Sequence, residues 1–263
     1  MHEGLSYSLW LPERAGQGGV VILHGAGSCK ENHHDFARVV LGAGLAAIVF
    51  DQRGHGESDG PMDDRALGDV VAMAALVRTR MADHAANSRN SGNSGNSARS
   101  PAPIALRGSS MGGYLALVSA SAANAAAVVA ICPAGNEGLR RGLANGRFTF
   151  KADTPALDRF LAKHDVYAAA ADLDVPVLLL HAEGDAQVPV EQSQELAGLL
   201  RSPRSRLIAL PGGHHQSIQH DPELQAVSVQ FIERALAAGP DPPREDGGGP
   251  RRQFPAADRP GQQ

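Results

Sequence analysis

Ser110 stands in Gly108-Ser109-Ser110-Met111-Gly112, between the apolar run Ile104-Ala105-Leu106 and a helical run opening at Tyr114-Leu115-Ala116-Leu117. That context fits a sharp strand-to-helix turn, a nucleophile elbow, which strains the serine backbone and pushes its hydroxyl into the open. Gly108 and Gly112 lie where a Cβ would strike the neighbouring strand or helix; Ser109 lacks that glycine frame. A neutral hydroxyl is a poor nucleophile, so it needs a base within hydrogen-bond reach and a carboxylate to hold the base in the correct tautomer. Both follow in order: Asp185 comes after Val177-Leu178-Leu179-Leu180, and the adjacent His214 and His215 come after Leu207-Ile208-Ala209-Leu210. Ligand sites in α/β sheets lie beyond the carboxyl ends of strands. This favours Asp185 over Asp153, Asp158, Asp165, Asp172 and Asp174, which precede that strand; Glu183 is the nearest competitor and is expected in solvent. Upstream, Val20-Val21-Ile22-Leu23 runs into His24-Gly25-Ala26-Gly27, a strand ending in a glycine-rich turn with backbone N–H groups free to face an anion.

Two other chemistries are weighed against this one. Gly25-Ala26-Gly27 followed by Lys30 lacks the Gly-Lys-Ser/Thr ending of a phosphate loop. The histidines His24, His33, His34, His214 and His215 lack helical i, i+4 spacing and a supporting set of cysteine and carboxylate, so zinc is set aside. No cofactor and no metal is expected.

In their order, these segments resemble the α/β-hydrolase superfamily, specifically its esterase and dienelactone-hydrolase-like serine hydrolases, from about Gly4 to Ala238. The matching stretches are His24-Gly25-Ala26-Gly27, Asp51-Gln52-Arg53-Gly54-His55-Gly56-Glu57-Ser58, the elbow, His181-Ala182-Glu183-Gly184-Asp185 with Val188-Pro189, and Leu210-Pro211-Gly212-Gly213-His214-His215. The resemblance implies a serine hydrolase acting on an acyl bond of a small molecule. It implies an oxyanion hole built from the backbone N–H groups of Ala26 and Met111. The family's loop runs Pro-Gly, two variable residues, then the catalytic histidine, which selects His215; reading the histidine directly after the glycine selects His214. The resemblance gives His24 a turn-stabilising role and Asp51 to Gly56 a structural one. An ester substrate, a peptide or amide substrate, and a non-catalytic binding role on the same scaffold remain open, because one triad serves both bonds and fold alone does not fix function.

The elements that must position these residues are legible as short apolar runs: Leu5 to Leu11, Val20 to Leu23, Leu45 to Phe50, Ile104 to Arg107, Ala127 to Cys132, Val177 to His181 and Arg206 to Leu210. Such runs suit strands buried on both faces. Helical stripes lie between them, with Leu67, Val70, Val71, Ala74 and Val77 on one helix and Leu224, Val227, Phe231 and Ala235 on another that starts at Asp221-Pro222. The alternation predicts an α/β fold with a mostly parallel, doubly wound sheet. One strand precedes the glycine-rich turn where the resembling family commonly has two, so an edge strand is expected to be missing. Within a single hydrolase domain, residues 1–238, the Asn-Ser triplets of 87–103 read as a flexible low-complexity insertion. Residues 133–175, carrying Phe148, Phe150, Leu157, Phe160 and Leu161, hold the position of a small lid, and 239–263 reads as a disordered tail.

At 263 residues the chain suffices for one sizeable domain. A net charge of −4 with no basic stripe argues against nucleic acid. Lys30, Lys151 and Lys163 are the sole lysines, so arginine supplies nearly all of the positive charge. Cys29 and Cys132 have neither metal-knuckle nor disulfide-framework spacing and are expected as free thiols. The N-terminus has no basic-then-apolar leader and no run is long enough to span a bilayer, so no membrane partner and a cytoplasmic location are expected.

Overall fold

Aliphatic and β-branched residues hide their polar backbone by pairing laterally. In the computed structural model, which describes residues 1–14, 16–89 and 101–239, seven such runs form one sheet. They are β1 (Tyr7–Trp10), β2 (Gly19–Leu23), β3 (Ala46–Phe50), β4 (Ile104–Ser109), β5 (Ala125–Ile131), β6 (Val177–Ala182) and β7 (Arg206–Leu210), in the order β1-β3-β2-β4-β5-β6-β7. Every pairing is parallel except β1 on β3. Each expected run becomes a strand, and a single strand precedes β2. The ends differ: β4 continues through Ser109, and β5 stops at Ile131 because Cys132 turns to a left-handed φ of 40°.

Both faces of the parallel strands are apolar, so helices must cover both. Helices α1 (His34–Gly42) and α8 (Pro222–Ala238) lay Phe36, Val40, Val229, Phe231 and Ile232 on one face, against Val20, Ile22, Val129, Ile131, Leu178 and Leu180. On the other face, α2 (Ala66–Arg89), α3 (Met111–Ser119) and α7 (Val190–Leu199) bring Val70, Met73, Leu115 and Leu196 to Val21, Leu106, Val128 and Leu179. Helices α4 (Asn136–Ala144), α5 (Thr154–Lys163) and α6 (Val166–Asp172) lie between β5 and β6 in the chain and bury Leu157, Phe160 and Leu161.

Helix α8 starts as its sequence signals, with the Asp221 carboxylate accepting from Glu223 N (2.9 Å) and Leu224 N (3.0 Å) and Pro222 in the first turn. Of the expected stripe, Phe231 and Ala235 are buried, and the buried face extends beyond it. Leu224 and Val227 are half-buried, whereas Gln225, Ser228, Val229 and Ile232 are buried. Two polar residues can lie inward because each has a partner: Gln225 Nε2 donates to Asp35 Oδ2 (2.7 Å) and Ser228 Oγ to Leu224 O (2.7 Å). On α2, Leu67 and Val71 flank the stripe half-buried, and Met73 and Met81 join Val70, Ala74 and Val77 inside. That helix extends to Arg89, so the insertion expected from residue 87 begins as helical backbone; its remainder from 90 to 100 lies outside the described residues, as does the expected tail beyond Gly239. Among the described residues no helix is long and apolar enough to cross a membrane.

Candidate active site

Three strand ends on the same edge of the parallel sheet carry the chemistry. At the end of β4, Ser110 adopts φ 53° and ψ −118°, a left-handed strain that costs about 1–3 kcal/mol and persists because the surroundings fix it. Its N–H donates to Ile131 O (2.9 Å), and its carbonyl accepts from Tyr114 N (3.0 Å) and Ala134 N (3.0 Å). A Cβ at Gly108 would fall on the Gly112 carbonyl, and one at Gly112 on the Leu23 carbonyl, so the turn can be this tight only with glycine at both positions. Ser110 is half-buried, while Ser109 is 5% exposed at the end of its strand.

The acid is presented by an extension of sheet pairing. Beyond β6 and β7, Glu183 N donates to Leu210 O (2.9 Å) and Gly184 N to Gly212 O (3.0 Å), zipping the two loops together. Asp185 Oδ2 then accepts from His215 Nδ1 at 2.6 Å, and Oδ1 accepts from Gln187 N (2.8 Å) and Val188 N (3.0 Å). Burial pushes the Asp185 carboxyl upward, but the Val188 N–H, the His215 ring and the Gln187 N–H together hold it below the usual carboxylate range. His215 thus keeps its proton on Nδ1 and leaves Nε2 as an acceptor. His214 is exposed and its backbone is engaged by Ser217, Oγ accepting from His214 N (2.9 Å) and donating to His214 O (2.7 Å). Glu183 is exposed. Among the described residues no hydrogen bond joins Ser110 Oγ to His215; in unliganded hydrolases that bond is often long and closes with substrate.

The glycine-rich turn stands beside the serine: a Cβ on Gly25 would lie 3.3 Å from Ser110 Cβ. Neither Ala26 N–H nor Met111 N–H has an acceptor among the described residues, so both are free to meet a developing negative charge. The turn is held from beneath by His24, whose Nδ1 donates to Gly25 O (2.8 Å) and whose Nε2 accepts from Gln52 N (3.0 Å). Burial and the neighbouring His55 lower His24 to about 4, so it is neutral. His55 Nε2 accepts from Gly27 N (3.1 Å) while Phe150 stacks on the ring at 4.3 Å and Phe148 on Phe150 at 5.0 Å. Hydrogen bonds from Lys151 N to Gly54 O (3.1 Å) and from Met62 N to Lys151 O (2.9 Å) pin that segment to the loop after β3.

Two residues around the acid have no role in the sequence reading. The buried thiol of Cys132 lies within 4.8 Å of the Asp185 carboxylate and the His215 ring. His181, fully buried, donates from Nε2 to Val188 O (2.9 Å) and accepts at Nδ1 from Ser193 Oγ (2.7 Å), bracing the turn that carries Asp185. His181 was legible as part of the motif leading to Asp185. For Cys132 the one signal was its place at a strand's end.

A strained serine turn, an acid-held histidine and two free backbone donors on one edge of a mostly parallel sheet define a serine-hydrolase-type α/β fold. The chain belongs to the α/β-hydrolase superfamily, with residues 15–152 matching the serine aminopeptidase (S33) family and residues 93–239 the prolyl oligopeptidase family. It is 25% identical over 229 residues to the uncharacterized protein YfhR of Escherichia coli O157:H7, covering 82% of this chain and 70% of that one. The monoacylglycerol lipase of Paleococcus ferrophilus superposes with a TM-score of 0.62 at 18% identity, covering 89% of this chain and 98% of that one. Est1E of Butyrivibrio proteoclasticus with bound ferulic acid superposes with a TM-score of 0.61 at 20% identity, covering 89% and 94%. At such identities the neighbours share the fold.

Proposed function

We propose that this hydrolase cleaves an ester of a small molecule through an acyl-enzyme intermediate. The observation that carries the reading is the 2.6 Å bond from His215 Nδ1 to Asp185 Oδ2 on the same sheet edge as the left-handed Ser110. In this mechanism His215 Nε2 takes the Ser110 Oγ proton as Oγ attacks the acyl carbonyl, and the Asp185 carboxylate stabilises the imidazolium. The Ala26 and Met111 N–H groups receive the oxyanion; loss of one such donor costs about 10²–10³ in turnover. The histidine returns the proton to the leaving alcohol, then activates water, and deacylation restores Ser110. Residues 133–175 act as a lid over the acyl portion of the substrate, and the Phe148-Phe150 stack beside the Gly27 turn supports that assignment.

Amide cleavage is the second reading, favoured by the peptidase names of both matching families. Labelling with a fluorophosphonate, followed by short- and long-chain acyl esters and matched amides, decides between them. Ser110→Ala is expected to abolish labelling and hydrolysis, while Ser109→Ala keeps measurable activity. Equal loss in two folded variants would remove the elbow assignment, and turnover of amides alone would replace the ester reading.

A further inference from the structure

Zinc is set aside on sequence because no cysteine and carboxylate accompany the histidines, yet the fold brings such a set together. Cys132 at the end of β5, Asp185 after β6 and His215 after β7 place one ligand atom each within 4.8 Å of one another. The three are inorganic ligands of different kinds: a soft sulfur, a carboxylate oxygen and an imidazole nitrogen. We infer that Cys132, Asp185 and His215 form a binding site for a thiophilic divalent cation such as Zn²⁺ or Cd²⁺, whose occupation disables the histidine as a base.

Tetrahedral zinc, with bonds of about 2.0–2.3 Å, sets its ligand atoms roughly 3.3–3.7 Å apart. The 2.6 Å contact between Asp185 and His215 must therefore open, and the widest spacing in the trio, up to 4.8 Å, must close, each by about 1 Å. The thiol end is anchored, since Cys132 N donates to Leu180 O (2.8 Å) and the backbone turns left-handed there. The imidazole lies on the loop after β7 and is the group that adjusts. Charge also balances: a thiolate and a carboxylate neutralise a divalent ion, which removes most of the penalty of burying any of the three alone. Hard cations are not favoured, because Mg²⁺ and Ca²⁺ need six or more oxygen ligands.

The exchange conserves protons. Binding releases the Cys132 thiol proton to solvent, and ligation through His215 Nδ1 moves the ring proton to Nε2. With Nε2 protonated, the ring has no lone pair for Ser110. Because a thiol proton must leave for the thiolate to bind, apparent affinity rises with pH.

The inhibition arm rests on the proposed hydrolase reading; the binding arm does not. The test uses the full chain carrying Cys29→Ser, which leaves Cys132 as its one thiol. Titration with Cd²⁺ is expected to give an ultraviolet thiolate-to-metal band that saturates at one equivalent and tightens with pH as stated. Cys132→Ser should abolish it, and Asp185→Asn and His215→Ala should each weaken it at least tenfold, with circular dichroism confirming folding and Cys132→Ala as a second thiol variant. Absence of the band, or a band unchanged in both Asp185→Asn and His215→Ala, would overturn the site. Zn²⁺ should inhibit ester hydrolysis reversibly by chelator, and the turnover retained by a Cys132 variant should need at least tenfold more Zn²⁺ for half-inhibition. Equal sensitivity would refute inhibition at this site; if the protein hydrolyses no ester, the Cd²⁺ band still decides whether the site exists.

Discussion

The histidine held by Asp185 is distinguished from its neighbour by direction. Adjacent side chains leave the loop at different angles, so His215 meets Asp185 at 2.6 Å while His214 is exposed. His215→Ala is expected to lower turnover by about 10³ or more. His214→Ala should stay within about tenfold of the parent, roughly 1.4 kcal/mol of barrier. Turnover of both on one activated ester checks the ranking. Asp185 makes a second prediction through its titration. Its folded carboxyl is held below the usual range, so its contribution to stability is complete above about pH 4 and is lost as pH falls through the folded value. Asp185→Asn should therefore lose less melting temperature than the parent between about pH 5 and pH 3, as thermal melts will show. Ser110, Asp185 and the histidine pair are legible in the sequence because each lies in a short loop tied to an apolar run. The approach of the Cys132 thiol to Asp185 was not, because the two residues are 53 positions apart in sequence.

The loop after β3 shows how an element can be built on charge. The Lys30 ammonium sits 2.9 Å from Asp51 Oδ2, 2.9 Å from Glu57 Oε2 and 2.8 Å from Glu31 Oε1, while the Asp51 side chain is 0% exposed. Lys30 N and Glu57 N also donate to the Asp51 carboxylate, at 2.7 and 2.9 Å. Removing the cation leaves a buried carboxylate without its counter-charge, which costs about 3–5 kcal/mol. Lys30→Met is expected to destabilise the protein by that order in denaturant unfolding. The sequence resemblance marked Asp51 to Gly56 as structural but did not reveal Lys30 as the partner, since the pairing crosses from the segment after β2 to the loop after β3. Strands were legible as elements because burial on both faces leaves unbroken apolar runs. Part of the inward face of α8 was legible through Phe231 and Ala235, but Gln225 and Ser228 look solvent-bound until their partners are known.

For the whole molecule, the parallel order could be read from alternating strands and helices, but its closure could not. Arg107, 1% exposed in the central strand, donates from Nη2 to Gln219 O (2.8 Å) and lies 4.0 Å over the Phe36 ring. Nothing about an arginine at a strand's end marks it for the core. Helix α8 completes the face that α1 begins, and its removal would bare Val129, Ile131, Leu178 and Leu180. Truncation before Pro222 is therefore expected to yield aggregate rather than a smaller folded domain, as size-exclusion chromatography of the refolded fragment would show. The same helix sets a timetable for synthesis. Strand β4 is synthesised well before α8, which covers one face of the sheet and follows β7 and the His215 loop in the chain. Until α8 is made, a growing chain carries Val129, Ile131, Leu178 and Leu180 on a sheet face without its full cover, and such exposed apolar surface favours aggregation during synthesis.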